Sequence, residues 1–336
     1  MLNLDKKNSK IRIQFVVLSV GILLMGGKFI AYLITHSNAI LTDALESIIN
    51  VVAGGFGLYS LILASKPKDE DHPYGHGKIE FISASIEGVL IILAGIAIIF
   101  KSSYNLFFPS FVHKIDIGIW IIGISGVINF IIGQIAEIKG KKSDSITLIA
   151  SGKHLKSDAY TTIGILIGLV LIYFTKIIWI DNIVAIACGI WIIYSGYKIL
   201  KESVGGIMDE ADFALLEKIT ANLEKHRKPN WIDIHNLRTI KYGDKLHIDC
   251  HVTLPFYFSV KEGHNEIDEM EQLIDQVFEK KVEIFIHVDP CNPEFSCSVC
   301  LKSACNERKI PFDKKIIWNL ENTMQNSKHG KINEIM

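Results

Sequence analysis

His154 and Asp158 stand four residues apart in the run HLKSD, at the mouth of an apolar stretch that soon continues TTIGILIGLVLIYF. Glu46 and Asn50 repeat that spacing inside a second apolar stretch, NAILTDALESIINVVAGGFGLYSLILA. On a helix, residues i and i+4 share a face, so each pair can present two donor atoms to one small object. An ionisable side chain costs roughly 2.5–3.5 kcal/mol at the bilayer centre on insertion scales, so its presence there calls for a function. Two helices offering one imidazole, two carboxylates and one amide oxygen make a four-ligand cage for a divalent cation. The bland competitor is hydrogen bonding between helices. Matched spacing in two separate segments favours the cage. With one imidazole and no thiolate, it is harder and less selective than a structural zinc site.

Three further groups carry ligand chemistry. In the loop KDEDHPYGHGK, Asp69, His72 and His76 follow D-x-x-H-x-x-x-H, a spacing that suits a second metal site on a tight turn. Helix capping or bonding to the loop backbone is the simpler use of those histidines. Downstream lie His235, His247, His251, His264 and His287, with Asp289 two residues after the last. Strand periodicity puts His247 and His251 on the same face as Asp249. A lone strand histidine is usually just a polar residue, but five of twelve histidines in one short stretch point to a metal site. Finally, Cys291, Cys297, Cys300 and Cys305 form C-x5-C-x2-C-x4-C. In a reducing compartment, clustered thiols bind metal more often than they form disulfides. Four thiolates suit tetrahedral zinc, an iron–sulfur centre less well. Free thiols on a tail are the alternative.

The elements that must hold these groups follow from hydropathy. The 336 residues have mean hydropathy +0.30, with the apolar residues bunched into six runs near 12–35, 39–64, 81–100, 115–136, 155–174 and 177–200. About 20 apolar residues span a bilayer as a helix. The first run is too long for a cleavable signal peptide and no small-residue cleavage site follows it. Lys and Arg gather before the first run (Lys6, Lys7, Lys10, Arg12), after the second (Lys66, Lys68, Lys78) and after the fourth (Lys139, Lys141, Lys142, Lys153). The alternate connections hold only Lys101, Lys114 and Lys176. The positive-inside rule then puts both termini in the cytoplasm, in agreement with six spans.

Four segments are expected: a cytoplasmic tail over 1–10, a six-span all-α membrane domain over 11–205, a small α+β domain over 206–290, and a Cys-rich extension over 291–336. The α+β part reads αββαβ: a helix over 209–228, strands IHNLRTIKYG and KLHIDCHVTL around a Gly243-Asp244 turn, a helix over 260–280 and the strand VEIFIHVDP. Helices on one face of a sheet make a two-layer domain.

The runs DALESIIN, DHPYGHGKIE, HLKSD, HNLRT and IHVDP together resemble the cation diffusion facilitator family over roughly residues 10–290. The resemblance implies a homodimer of six-span subunits with a ferredoxin-like cytoplasmic domain, exporting divalent cations in exchange for protons. It implies a transport site at Glu46, Asn50, His154 and Asp158, and a loop site at Asp69, His72 and His76. It also implies a binuclear site at the cytoplasmic dimer interface, from His235, His251, His264, His287 and a bridging Asp289. Lys78 and Asp209 resemble a charged interlock between the loop and the end of the sixth span. His247 has no counterpart, and the cysteines lie beyond the matching part. Many relatives carry Asp or His where Glu46 stands and Asp where Asn50 stands. Asn50 cannot titrate, while Asp43, three residues before Glu46 on the same face, is a substitute acceptor. Glu87, within the third span, is expected to face a hydrated cavity or a hydrogen-bond partner.

The reading is a proton-coupled exporter with zinc or iron(II) as cargo, and cobalt, cadmium or manganese within its chemical range. It sits in a cell membrane, that of a bacterial cytoplasm by the compactness of the chain. Its partners are the cation, the proton, the lipid bilayer and a second copy. No nucleic acid, organic cofactor or enzymatic reaction is expected, because closed cages leave no open metal position beside a nucleophile or base. The alternative is a non-transporting, membrane-anchored metal sensor or scaffold. A passive channel is the other rival, marked by flux that ignores a pH gradient.

Overall fold

The computed structural model describes residues 2–35, 38–107, 115–175, 179–242, 245–278 and 282–329. Two units follow one another, Met1–Met208 and Asp209–Met336.

The first unit contains six long helices: α1 (Leu2–Thr35), α2 (Asn38–Ala64), α3 (Ile79–Phe107), α4 (Ile115–Ser143), α5 (Ile146–Thr175) and α6 (Trp179–Ile207). Several outrun the apolar stretches that announce them, because hydropathy marks only what suits hydrocarbon. Helical hydrogen bonding continues into polar sequence such as IKGKKS at the end of α4. Among the described residues, four helices are long and apolar enough to cross a membrane. Their outward faces carry large apolar side chains, such as Leu23, Phe100 and Tyr194. Small residues let the helices approach. A Cβ on Gly95 of α3 would lie 2.9 Å from the Gly189 carbonyl of α6. One on Gly152 of α5 would lie 2.6 Å from the Glu137 amide of α4. Close backbone approach replaces the hydrophobic drive that lipid does not supply. The Lys114 and Lys176 positions lie outside the described residues.

Polar side chains fill the interior. Gln14 donates to the Gly54 carbonyl at 3.2 Å, and Ser145 donates to Glu80 at 2.5 Å. Ser60 and Thr147 pair at 3.3 Å. Buried polar groups demand such partners in a membrane.

The second unit is a small α+β domain: α7 (Phe213–Lys225), β1 (Asp233–Tyr242), β2 (Lys245–Leu254), α8 (Val260–Phe278) and β3 (Val282–Pro290). This is the expected αββαβ order. Helix α7 begins at 213 rather than 209 because Asp212 caps it, accepting from the Leu215 amide at 3.1 Å. The sheet order is β1-β2-β3, antiparallel then parallel, with α8 as the crossover that a parallel pair requires. The Gly243-Asp244 turn lies outside the described residues. One sheet face buries Ile234, Ile248, Val252 and Cys250 against Leu216, Ile219, Leu223, Met270 and Ile274 of the helices. The other face carries the histidines.

The cysteine-bearing segment after β3 has almost no regular structure, only a 3-10 turn at Ser296–Ser298 and a short helix α9 (Leu320–Thr323). It nonetheless packs on the domain. Trp318 enters the main core at 3% exposure, where the Arg227 guanidinium stacks on its ring at 3.9 Å.

Candidate metal sites

In the membrane unit, α2 and α5 bring Asn50, His154 and Asp158 together. His154 Nε2 lies 2.8 Å from Asn50 Oδ1, and Asn50 Nδ2 donates to Asp158 Oδ2 at 2.9 Å. His154 Nε2 stands 3.8 Å from that same carboxylate oxygen across one helical turn. The amide thus bridges the imidazole and the carboxylate. His154 is 8% exposed, and its Nδ1 is buried with no hydrogen-bond partner among the described residues. Glu46 lies on α2 one turn before Asn50, but its side chain, like that of Asp43, is outside the described residues. Glu87 is 4% exposed and accepts from Ser151 at 3.2 Å; Ser151 sits one turn before His154. Gln14 donates to the same serine at 3.4 Å. Glu87 has its hydrogen-bond partner, within electrostatic reach of the trio but not part of it.

Lys28 escaped the sequence reading. It is the one charged residue in the run from 13 to 35, which was signal enough. It is 6% exposed and donates to Ser47 at 2.9 Å, on the residue next to Glu46.

In the loop, Asp69, His72 and His76 bring three donor atoms within 4.8 Å of one another. His72 Nδ1 is 2.9 Å and His76 Nε2 3.3 Å from opposite oxygens of Asp69. The turn is made by Gly75 at φ 89°, a conformation that costs glycine little. The His72 amide also donates to Asp69, at 2.7 Å. Desolvation would raise the Asp69 carboxyl, but the His72 hydrogen bonds and the two imidazoles hold it below the ordinary range.

In the α+β domain, register does the assembly. His235 faces His251 on β2, and His251 faces His287 on β3, so three histidines stand in one row across the sheet. Their rings are spaced 5.1 Å and 4.6 Å apart. The next row on that face is Asp233, Thr253 and Asp289. His235, His251 and Asp289 bring donor atoms within 4.8 Å of one another. Asp289 Oδ2 lies 3.5 Å from His235 Nε2 and 3.3 Å from His251 Nδ1. His287 Nε2 is 3.7 Å from the other oxygen and largely exposed. His264, on α8, is exposed beside Asp268 and stands apart from this cluster. His247 is buried at 8% and lies 3.0 Å from Asp249, as strand period demands, in a separate pair.

Two residues of the extension also reach this site. Lys328 Nζ is 3.3 Å from Asp289 Oδ1, and His329 contacts Asp233, whose other oxygen lies 3.2 Å from His235 Nδ1. Burial would raise Asp289, but Lys328, then His251 and His235, hold its carboxyl below the ordinary range. Burial would likewise raise Asp233, and His235 and His329 overcome it. Nothing in the spacing of Lys328 and His329 pointed to the sheet, because the chain between has no periodicity.

Lys78 immediately precedes α3 in the first unit. Asp209 opens the second at φ 58°.

The family described as the cation efflux transmembrane domain matches residues 14–208, and that described as the cation efflux protein cytoplasmic domain matches 211–291. An uncharacterized transporter of Synechocystis is 32% identical over 263 residues, covering 77% of this chain and 84% of its own length. Manganese efflux system protein MneS of Bacillus subtilis is 28% identical over 280 residues, covering 82% and 92%. Cation-efflux pump FieF of Shewanella oneidensis is 25% identical over 268 residues, covering 80% and 89%.

Proposed function

The chain belongs to the cation diffusion facilitator family of cation-efflux transporters, and from that premise we propose that it exports a divalent metal cation from the cytoplasm in exchange for protons. The observation that carries this reading is the meeting of Asn50, His154 and Asp158 between α2 and α5. The same lone pairs serve metal and proton, so cation entering from the cytoplasm displaces protons from His154, Asp158 and Glu46. Helix rocking then opens the site outward, where protons re-bind and release the ion. Shared occupancy couples the two fluxes without a separate relay. Asn50 has no proton to exchange, so at most three of the four site residues titrate.

Zinc or iron(II) is the cargo we favour from the imidazole and carboxylate donors. Manganese is the second reading. Three of the four donors are oxygens, which suits a harder ion, and one relative is named a manganese efflux protein. The protein works as a homodimer in a bacterial cytoplasmic membrane with both termini inside. The sheet site, from His235, His251, His287 and Asp289, senses cytoplasmic metal. Exposed His264 and His287 are available to a site shared with a second copy. Asp69, His72 and His76 hold a further ion at the loop.

Uptake into proteoliposomes, driven by an imposed pH gradient and run with zinc, iron(II), manganese, cobalt and cadmium, tests the proposal. Flux should follow the gradient and vanish in Asp158→Ala. Binding without flux for every ion would instead establish the membrane-anchored sensor, and flux indifferent to pH a channel.

A further inference from the structure

The transport reading leaves the four cysteines unused. Cys297 and Cys300 are buried, and Cys291 and Cys305 half-buried, around one cavity of about 10 Å³ that all four line. We propose that Cys291, Cys297, Cys300 and Cys305 bind one structural zinc ion as four thiolates, stapling the C-terminal extension onto the α+β domain. This inference does not depend on the transport reading.

Two backbone amides are aimed at the thiols. The Phe256 amide donates to the Cys291 sulfur, and the Lys302 amide, two residues on, donates to the Cys300 sulfur. Burial nonetheless pushes both thiols up and the donors only oppose it; a bound divalent ion supplies the charge that deprotonates coordinating thiols. The Tyr257 hydroxyl lies 3.6 Å from Cys305 Sγ. Four thiolates around a divalent ion leave a net charge of −2, and two cations stand ready to balance it. Lys302 lines the cavity. Arg308 lines it too, and its guanidinium donates to the carbonyls of Cys297, Cys300 and Lys302 at 2.7, 3.0 and 2.9 Å. The loop is thereby held from inside by one side chain. Its start is held as well, because the Cys291 amide donates to the Leu254 carbonyl at 2.8 Å.

Size and hardness decide the ligand. A cavity near 10 Å³ holds about one water-sized sphere, enough for a single ion and too small for an iron–sulfur cluster. Four soft sulfurs select zinc in a closed tetrahedron. The sulfurs are grouped more loosely than the two histidine–aspartate trios, so the ion draws them inward. The segment has little regular secondary structure, and a bound metal supplies folding free energy to it.

Full-length protein purified in detergent and washed with EDTA is to be assayed for metal by plasma mass spectrometry, beside Cys297→Ser/Cys300→Ser. Wild type should retain one zinc per chain and the cysteine variant none. Asp158→Ala/His251→Ala should keep its zinc, which separates this ion from those of the transport and sheet sites. Should the cysteine variant fold poorly, cobalt(II)-exchanged wild-type protein decides by absorption: four thiolates give intense sulfur-to-cobalt charge-transfer bands with tetrahedral d–d bands. Equal zinc in wild type and cysteine variant, retention of iron instead, absence of the charge-transfer band, or titration of fewer than the six thiols in the unreduced, denatured chain would overturn the proposal.

Discussion

Between α2 and α5, donors meet because His154 and Asp158 share one face of α5 and Asn50 lies opposite them on α2. Across the β1-β2-β3 sheet, His235, His251 and His287 meet because strand register aligns residues far apart in sequence. In the helical site His154 is buried and Asn50 and Asp158 are half-buried, and the three pair with one another through the Asn50 amide. The sheet site lies on the face away from the helices, with His235 buried and His287 exposed, and its central carboxylate is paired with a lysine from the distant extension. A site that must give up its ion is best made from groups that can pair when the ion leaves. On the proposed sensing role, Lys328 is a weak competitor with the cation for Asp289.

Removing Asp158 should have the largest effect. Asp158→Ala should cut metal flux by more than the roughly 10–100-fold that losing an outer-shell partner costs, while cation binding by the sheet site measured by calorimetry stays at the wild-type value. Loss of both would break the contrast between the two regions. His251→Ala is the mirror experiment. It should weaken cation binding to the α+β domain by about 10–100-fold and abolish acceleration of transport by cytoplasmic metal, with residual flux kept. An unchanged metal dependence would remove the sensing role.

Asn50→Asp should sharpen the difference in titration. A fourth ionisable donor adds a proton acceptor, so the flux reversal point in proteoliposomes should shift by one more proton per ion, with the rate changed by less than about tenfold. An unmoved reversal point would show that this position takes no part in coupling.

The smallest effect belongs to Lys328→Ala, which removes the competitor and should tighten cation binding at the sheet by a few-fold, in the range of about 1 kcal/mol for a partly exposed ion pair. The pH arm has a definite sign. Lys328 holds the folded-state Asp289 carboxyl below its ordinary value of 3.8. The ion pair therefore stabilises the domain above that pH, and the stabilisation is lost as pH falls through the folded value. In Lys328→Ala, acid unfolding followed by circular dichroism should begin at higher pH. An identical acid limb would mean that the lysine contact is not maintained in solution.

Much of this was legible before any coordinates. Apolar runs separated by basic loops announced the helices, though hydropathy understated α1 and α4, whose ends continue where the sequence turns polar. Alternation and turn signals announced the strands, and the i, i+4 spacing announced Asn50, His154 and Asp158. Local spacing suffices when one helix turn or one tight loop delivers the ligands, as it does for Asp69, His72 and His76. It fails for Lys28, whose Ser47 partner belongs to another helix, and for Lys328 and His329, which reach the sheet by a path without period.

By itself, then, the order of residues determined the family, the helical and α+β halves, and the donor types, because hydropathy and short-range periodicity are written in neighbouring residues. Only the tertiary structure decided that His235, His251 and His287 share one row, that Asn50 bridges His154 and Asp158, that Lys328 sits on Asp289, and that four thiols line one cavity. Apart from the thiols, which fall within one short segment, those are contacts between residues from more than ten to more than a hundred positions apart. They arise from register and packing, which no local pattern encodes.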